Sequence, residues 1–272
     1  MALAELPGRL RLAPGTHPKL VGAAAGERFG WREDQAERVL AHNRERLAHL
    51  QYKMYADGRF GMIVLLQGID GSGKDGTIRH VVSAFNPQGY AVTSFKVPTS
   101  EEARHDYLWR VHQRAPRRGE IAVFNRSHYE DVIAVRVGHL APPRVWRPRF
   151  EQINAFEHYL SECDIHVVKV FLHISKAEQR RRFLARIRTP HKQWKFDPSD
   201  LGSRRQWSEY RRAFNDALER CNTAWAPWYV VPADHKWFRN LAVSQILRER
   251  LESLPLRWPA PSFDPARVRI HK

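Results

Sequence analysis

The stretch LLQGIDGSGKDGTIRHV, residues 65–81, decides the fold. An apolar run ends in a glycine-rich turn, and Lys74 follows at the point where a helical pattern begins. This order is typical of a phosphate-binding loop, because the backbone amides of the turn and one ammonium group can surround a phosphate. A plain glycine-rich turn is the alternative, since Gly68, Gly73 and Lys74 could match the loop pattern by chance.

Two carboxylates distinguish this loop from the common one. Asp75 stands where serine or threonine usually places a hydroxyl group on magnesium. Thr77 cannot replace that hydroxyl, because two residues turn a helix by about 200°. Asp70, inside the loop, would repel phosphate unless a cation lies between them. We therefore predict that Asp70 binds Mg²⁺ and positions the acceptor phosphate; bracing the turn by hydrogen bonds is its alternative role.

A second polar turn follows another apolar run in IAVFNRSHYED, residues 121–131. Asn125 occupies the position of the usual metal-associated aspartate, so a metal ion would depend on Asp70 or on substrate oxygens. Arg126 can bind phosphate oxygens through two N–H groups. The alternative is that Ser127 caps a helix and Arg126 is an ordinary surface charge.

The third segment is AEQRRRFLARIRTPHKQWKFDPSDL, residues 177–201. Arg182 and Arg186 are four residues apart and share one side of the predicted helix. The second half combines two prolines with aromatic and basic residues, and we predict a lid over about 189–201 that closes over phosphates. A solvated helix face is the more common meaning of such a charge run, and it remains the alternative.

Short apolar runs alternate with helical patterns along the chain, which predicts an α/β fold with a parallel sheet flanked by helices. The ligand of such a sheet lies at the carboxyl ends of its strands. The predicted strands cover 62–67, 91–97, 121–125, 165–174 and 228–232. The predicted helices cover 32–55, 75–86, 100–114, 128–137, 149–162, 176–188, 203–223 and 236–253. We expect an N-terminal arm over 1–30, a single domain over 31–255 and a C-terminal tail over 256–272.

The composition indicates an anionic partner. The chain has 45 Lys and Arg against 29 Asp and Glu, a formal net charge of +16. Nucleic acid, a phosphorylated small molecule and a phosphate polymer would all satisfy this charge. No apolar run reaches the roughly eighteen residues of a membrane span, and charges interrupt the N-terminal apolar positions, so we expect a cytoplasmic protein. Two cysteines are too few for a zinc pattern or a disulfide framework.

The motifs GIDGSGKDGTIRHV, FNRSHYEDV and HKQWKFDPSDL, in this order and spacing, resemble those of the polyphosphate kinase 2 family. The resemblance covers roughly residues 30–255 and is strongest to class III members. It implies a phosphate-loop kinase fold with a helical lid. It also implies reversible transfer of a phosphoryl group from inorganic polyphosphate to nucleoside mono- and diphosphates, above all AMP and ADP. The implied cofactor is Mg²⁺, with Mn²⁺ as a substitute, and the implied assembly is a homo-oligomer, a dimer or a tetramer.

The resemblance also assigns site residues. Those that it implies for catalysis are Asp70, which also binds the metal, Lys74, Arg126, Arg186 and Asp200. The residues predicted to bind phosphate are Gly71, Ser72, Gly73, Asp75 and Gly76 in the loop, with Lys96, Arg110, Arg117, Arg118 and Arg182 as candidates for a basic channel. Those predicted to bind the nucleotide are Asn125, His128, Glu130, Lys192 and Lys195, of which Glu130 resembles a residue near the acceptor base.

Two other functions stay open at this point. An ATP-dependent nucleoside monophosphate kinase would need an adenine site for its donor, and no separate segment suggests one. A basic nucleic-acid-binding protein is compatible with the charge, but it would need neither the loop nor the lid. We therefore expect no nucleic-acid partner and no membrane association.

Overall fold

A parallel sheet forms the centre of the chain, whose structure is a computed structural model that describes residues 1–18 and 20–270. The strands of these residues are β1 (Gly61–Gln67), β2 (Tyr90–Ser94), β3 (Ile121–Asn125), β4 (Ile165–His173) and β5 (Trp228–Pro232). They lie in the order β2-β3-β1-β4-β5, and all neighbouring pairs run parallel. β1 therefore lies in the middle, and its seven residues are all buried, as expected of a strand that is covered on both faces.

Helices cover the sheet and connect its strands. They are α1 (Leu6–Leu10), α2 (Glu33–Asp57), α3 (Lys74–His80), α4 (Trp109–His112), α5 (Ala134–Val137), α6 (Pro143–Trp146), α7 (Arg149–Glu162), α8 (Lys176–Arg188), α9 (Asp200–Arg205), α10 (Trp207–Arg220) and α11 (Lys236–Glu252). The predicted α/β fold is confirmed, and all five predicted strands are present within three residues of their predicted bounds.

Four predicted helices are shorter or broken in the structure. The pattern over 75–86 forms α3, which ends at His80, and then a 3₁₀ turn, Val82–Ala84. Over 100–114 only α4 is α-helical, because the Asp106 carboxylate accepts hydrogen bonds from the backbone amides of Leu108 and Trp109 and starts a new helix there. The pattern over 128–137 becomes a 3₁₀ turn, His128–Asp131, followed by α5. The pattern over 203–223 divides at Gln206 into α9 and α10.

The first residues of the chain pack on the same core. Leu6 and Leu10 of α1 are buried, and the backbone of Arg11 forms an antiparallel bridge to Tyr229 on the edge strand β5. The amide of Leu12 donates to the carbonyl of Trp228 at 2.9 Å. The N-terminal arm thus includes a short helix and covers a sheet edge that would otherwise expose unpaired backbone groups.

The strand order brings two polar turns together. Leu66 near the end of β1 pairs with Asn125 at the end of β3, so the loop after β1 and the turn after β3 leave the same edge of the sheet. No helix within residues 1–18 and 20–270 has the length and apolar character needed to cross a membrane.

Candidate active site

The loop between β1 and α3 carries Lys74 into the site. Its backbone requires glycine at Gly71 and Gly73, where φ is 84° and 105°. Gly73 is the N-cap of α3 and Lys74 its first residue. The Lys74 side chain is 9% exposed, and its Nζ donates to the carbonyl of Gly68 at 2.7 Å. Burial lowers the pKa of Lys74, and the charge of Asp70 opposes that change.

Asp70 and Arg126 form an ion pair between the loop and the turn after β3. Arg126 Nη2 donates to Asp70 Oδ1 at 2.6 Å. Burial opposes ionisation of Asp70, but the charges of Lys74 and Arg126 outweigh it and hold the pKa of Asp70 below its ordinary value. The carboxylate is therefore ionised at neutral pH. Arg126 itself has a φ of 62°, an uncommon value for a residue with a side chain.

Glu130 belongs to the same charged cluster. Burial raises the pKa of Glu130, while the positive charges of Arg126 and Lys74 act to lower it. The charges of Arg126, Lys74 and Asp70 all act on the Glu130 carboxyl. The role near the acceptor base that the resemblance implies for Glu130 stays a prediction.

The two residues that depart from the common loop contact each other. Asn125 Nδ2 donates to Asp75 Oδ1 at 2.6 Å, which links the end of β3 to the first turn of α3. Asp75 is exposed, so its second carboxylate oxygen faces solvent at the edge of the site. Asn125, predicted to bind nucleotide, and Asp75, predicted to bind phosphate, are both at the loop.

Arg186 and Asp200 join α8 to the end of the predicted lid. Arg186 Nη1 lies 3.5 Å from Asp200 Oδ2 and 3.4 Å from the carbonyl of Lys195. Burial raises the pKa of Asp200, and the negative charge of Asp70 raises it further. Lys192 and Lys195 lie on an exposed 3₁₀ turn, Pro190–Lys195.

Asp70 and Asp200 are carboxylates that could each contribute an oxygen ligand to a divalent cation. The described residues contain no group of three His, Cys, Asp or Glu side chains that could hold a metal ion by themselves. Mg²⁺ commonly uses only one or two carboxylates and takes its other ligands from substrate phosphates and water. A cation here would also relieve the repulsion between Asp70 and Asp200. Mn²⁺ accepts the same oxygen ligands.

Arg182 requires a correction, because its guanidinium has no group left for phosphate. Nε donates to Glu178 at 2.7 Å, and Nη1 donates to the loop carbonyls of Gly71 and Ser72 at 2.8 and 2.9 Å. Nη2 donates to the carbonyls of Ala233 and Asp234. With the side chain 7% exposed, Arg182 braces the back of the loop and does not line a channel.

The other channel candidates differ in burial and in the edge of the sheet at which they lie. Arg110 is buried, and its Nη1 donates to the carbonyl of Lys96 at 2.8 Å and lies 3.4 Å from Glu102. Arg117 and Arg118 are exposed, but they precede the first residue of β3, at the amino edge of the sheet. A strand of seven residues spans roughly 20 Å, so this edge lies far from the loop. Lys96 is exposed and follows β2 at the carboxyl edge.

His128 is corrected from a nucleotide ligand to a buried structural residue. Its Nε2 lies 3.2 Å from Glu157 Oε1, and its side chain is 2% exposed. Glu157 also accepts from the hydroxyl of Tyr129 at 2.9 Å and from Lys169 Nζ at 2.6 Å. Lys169, in the middle of β4, is fully buried. This network fixes the turn that presents Arg126 and Glu130, while Ser127 caps it by accepting from the amide of Tyr129.

Comparison with known proteins decides the family. The family profile described as Polyphosphate kinase 2 (PPK2) matches residues 31–256. The chain belongs to the polyphosphate kinase 2 family. It is 48% identical, over 89% of this chain and 90% of the other, to a protein of Meiothermus ruber named AMP/ADP-polyphosphate phosphotransferase. It is 44% identical, over 79% and 78% of the two chains, to the ADP-polyphosphate phosphotransferase of Rhodopseudomonas palustris.

The structural comparison agrees. The crystal structure of polyphosphate kinase 2 from Arthrobacter aurescens TC1 superimposes with a TM-score of 0.92 at 40% identity, covering 96% of this chain and 94% of that one. The chain is thus a polyphosphate kinase 2 with the phosphate-loop kinase fold, as its motifs predicted.

Sequence reasoning missed residues that support this polyphosphate kinase 2 site from behind. Gln179 Nε2 donates to the backbone carbonyl of Asp70 at 2.9 Å. Its place three residues before Arg182, on one side of the predicted helix, was a usable signal. Arg239 lies against the loop from α11, far along the sequence, and no local pattern indicated it.

Proposed function

We propose that this chain transfers the terminal phosphoryl group of inorganic polyphosphate to AMP and to ADP, reversibly and with Mg²⁺. The observation that carries the proposal is the cluster of Lys74, Asp70 and Arg126 at the loop of a polyphosphate kinase 2 chain. The name of the relative at 48% identity, which includes both AMP and ADP, supports the choice of acceptors.

The residues of the site would act by binding and by neutralising charge. Phosphoryl transfer needs positive groups around the moving phosphoryl group and an in-line arrangement of donor and acceptor. Lys74 and Arg126 supply positive charge on two sides of Asp70, and the loop amides supply hydrogen bonds. Asp70 and Asp200 would hold Mg²⁺, which neutralises phosphate charge when bound. Glu130, close to both cations, would keep them oriented.

The lid and the surface charge would serve the donor. Residues 189–201 connect α8 to α9, and the Arg186–Asp200 pair ties the end of this segment to α8. We propose that the segment closes when a phosphate chain is bound and excludes water during transfer. The formal charge of +16 favours a polyanionic donor. We keep 31–255 as the kinase domain and a homo-oligomer as the assembly.

One reaction mixture tests the proposal. Purified protein is incubated with AMP, MgCl₂ and polyphosphate, without ATP, and the nucleotides are separated by chromatography. We expect ADP first and ATP later. A nucleoside monophosphate kinase would form no product until ATP is added, and a nucleic-acid-binding protein would form none in either case. Either result would contradict the proposal.

A further inference from the structure

A buried arginine on α11 fills the space behind the phosphate loop. Arg239 is 2% exposed, and its guanidinium lies against Gly73 and Gly76. A Cβ atom on Gly73 would collide with Nη1 of Arg239, and one on Gly76 would lie 3.0 Å from Nη2. The absence of side chains at these two positions therefore admits the guanidinium to the backbone of the loop and of α3.

The charge of Arg239 has no carboxylate partner among residues 1–18 and 20–270. Nε and Nη2 donate to Oδ1 of Asn240, at 3.2 and 2.7 Å, and this acceptor is a neutral amide. Another cation, Arg182, braces the same loop and also lies beside Gly73. Burial, followed by the charge of Arg182, lowers the pKa of Arg239 to about 9, which leaves the guanidinium protonated at neutral pH.

A buried charge without a counter-charge destabilises a protein, and burying an ion with no partner costs several kcal/mol in typical cases. The side chain could avoid that cost if α11 carried aspartate at position 240, where Asn240 already accepts both hydrogen bonds. The phosphate that the proposed function assigns to the loop would bring an anion to this part of the protein. The guanidinium lies against the loop backbone at Gly73, and nearby charges interact strongly in a buried environment.

We propose that Arg239 is a positioning residue whose buried charge acts through the loop on bound phosphate, and that this phosphate is its missing counter-charge. The inference rests on the proposed function, because it takes the ligand of the loop to be a phosphate chain. It predicts opposite effects on the empty and the occupied protein. A carboxylate placed beside Arg239 should stabilise the chain without bound phosphate and weaken phosphate binding.

Asn240→Asp tests this prediction with almost no change in shape. The new carboxylate would accept the two hydrogen bonds that Asn240 accepts now, and it would neutralise the guanidinium. The probe is tripolyphosphate with MgCl₂, measured by calorimetric titration without nucleotide. We expect binding on the order of tenfold weaker than in the native chain, from the loss of one nearby positive charge. We also expect an unfolding temperature of the empty protein that is equal to or above the native one.

Ser253→Asp is the matched control. It adds the same charge to the exposed C-cap of α11, thirteen residues further on and about 20 Å along the helix axis. Its tripolyphosphate affinity should stay within twofold of the native value. A second variant, Arg239→Met, keeps most of the aliphatic length and removes the charge, and it should also weaken binding about tenfold.

The outcomes separate this inference from the proposed function. If the native chain does not bind tripolyphosphate, the proposed function fails and the inference falls with it. If the native chain binds and Asn240→Asp binds equally well, only the inference is overturned, and Arg239 merely packs α11 against the loop. Should Arg239→Met fail to fold, Asn240→Asp and its control still decide, because aspartate has nearly the shape of asparagine and Ser253 is exposed.

Discussion

The side-chain amide of Asn125 donates a 2.6 Å hydrogen bond to the carboxylate of Asp75. In the common phosphate loop the helix contributes a serine or threonine hydroxyl and the neighbouring strand an aspartate. Here the carboxylate lies on the helix and the neutral group on the strand, so the negative charge has changed sides. The two departures from the common pattern are therefore one feature, in which each residue compensates the other.

Asn125→Asp should disrupt this contact, because it places two carboxylates at hydrogen-bond distance. Their repulsion raises the pKa of one of them, so the pair binds a proton as the pH falls and the hydrogen bond returns. We expect turnover to drop by at least about tenfold at alkaline pH and by less at mildly acidic pH, relative to the native enzyme at each pH. Initial rates with AMP at the two pH values measure this difference.

The reciprocal variant, Asp75→Asn with Asn125→Asp, is the control. It restores one amide and one carboxylate across the same contact, with the charge back on the strand. Its activity should exceed that of Asn125→Asp alone. Equal activity in the single and double variants would show that the hydrogen bond is not what the enzyme requires.

Lys74→Ala should remove a positive charge from the transition state. The side chain is buried at the loop and donates to the Gly68 carbonyl, so its loss affects the site more than the core. We expect turnover to fall on the order of a thousandfold. The circular dichroism spectrum and the urea unfolding curve should stay close to native. Near-native turnover in a folded variant would contradict the role of Lys74.

Asp70→Asn tests the metal site by binding as well as by rate. The carboxylate is ionised at neutral pH because Lys74 and Arg126 hold its pKa low against burial. Without it, Asp200 is the single carboxylate that remains of the proposed pair, and Mn²⁺ should bind on the order of tenfold more weakly in the presence of ADP. Paramagnetic relaxation of water protons reports that affinity directly. An unchanged affinity would leave Asp70 as a brace of the turn through its contact with Arg126.

The fold was predictable from local sequence patterns, because parallel strands that are buried on both faces appear in the sequence as continuous apolar runs. The strand Gly61–Gln67 is the clearest example. The loop, Lys74 and the Asp70–Arg126 neighbourhood were predictable for a related reason. The carboxyl ends of adjacent parallel strands meet at one edge, so the residues that follow β1 and β3 meet there also.

What sequence could not supply was the direction and burial of individual arginines. Arg117 and Arg118 are an exception, because they precede the predicted strand 121–125 and the sequence alone places them at the amino edge of the sheet. Arg182 shares a helix side with Arg186, yet one turn of helix separates a buried brace from a residue that faces the lid. Arg239 reaches the loop from a helix at the other end of the chain, a contact that no local pattern reveals.

Lys169→Met should destabilise the protein by leaving Glu157 buried without its counter-charge. Lys169 Nζ donates to Glu157 Oε2 at 2.6 Å, and both side chains are fully buried. Breaking such a pair typically costs about 3–5 kcal/mol of unfolding free energy. Replacing both partners, Lys169→Met with Glu157→Leu, should recover most of that loss in urea unfolding. A double variant as unstable as the single one would contradict the pairing.

The same pair gives a pH dependence of stability. Burial opposes ionisation of Glu157, but the charges of Lys169 and His128 lower its pKa in the folded protein below the ordinary value. The unfolded chain therefore binds a proton first, and stability decreases as the pH falls from the ordinary pKa of Glu157 through its folded one. The native unfolding free energy should decline over this acidic range. In the double variant, the contribution of Glu157 to this decline should be absent, and the contributions of other acidic groups should remain.

Charge reversals at the two edges of the sheet should separate a polyphosphate path from general surface charge. Lys96 and Lys195 lie on the side of the loop and lid, whereas Arg117 and Arg118 lie at the opposite edge. Changing Lys96 and Lys195 to Glu should weaken long polyphosphate more than tripolyphosphate, because a long chain contacts cations beyond the loop and releases its counterions there. The salt dependence of the reaction with the long donor should become shallower for the same reason.

The control changes Arg117 and Arg118 to Glu, which alters the net charge equally. It should leave the activity with long polyphosphate and its salt dependence near native. Initial rates with AMP, measured against donor length at two salt concentrations, compare the three proteins. If the Arg117 and Arg118 pair weakened the long donor as much as the Lys96 and Lys195 pair, net charge alone would attract the donor, and no path along the loop edge would be needed.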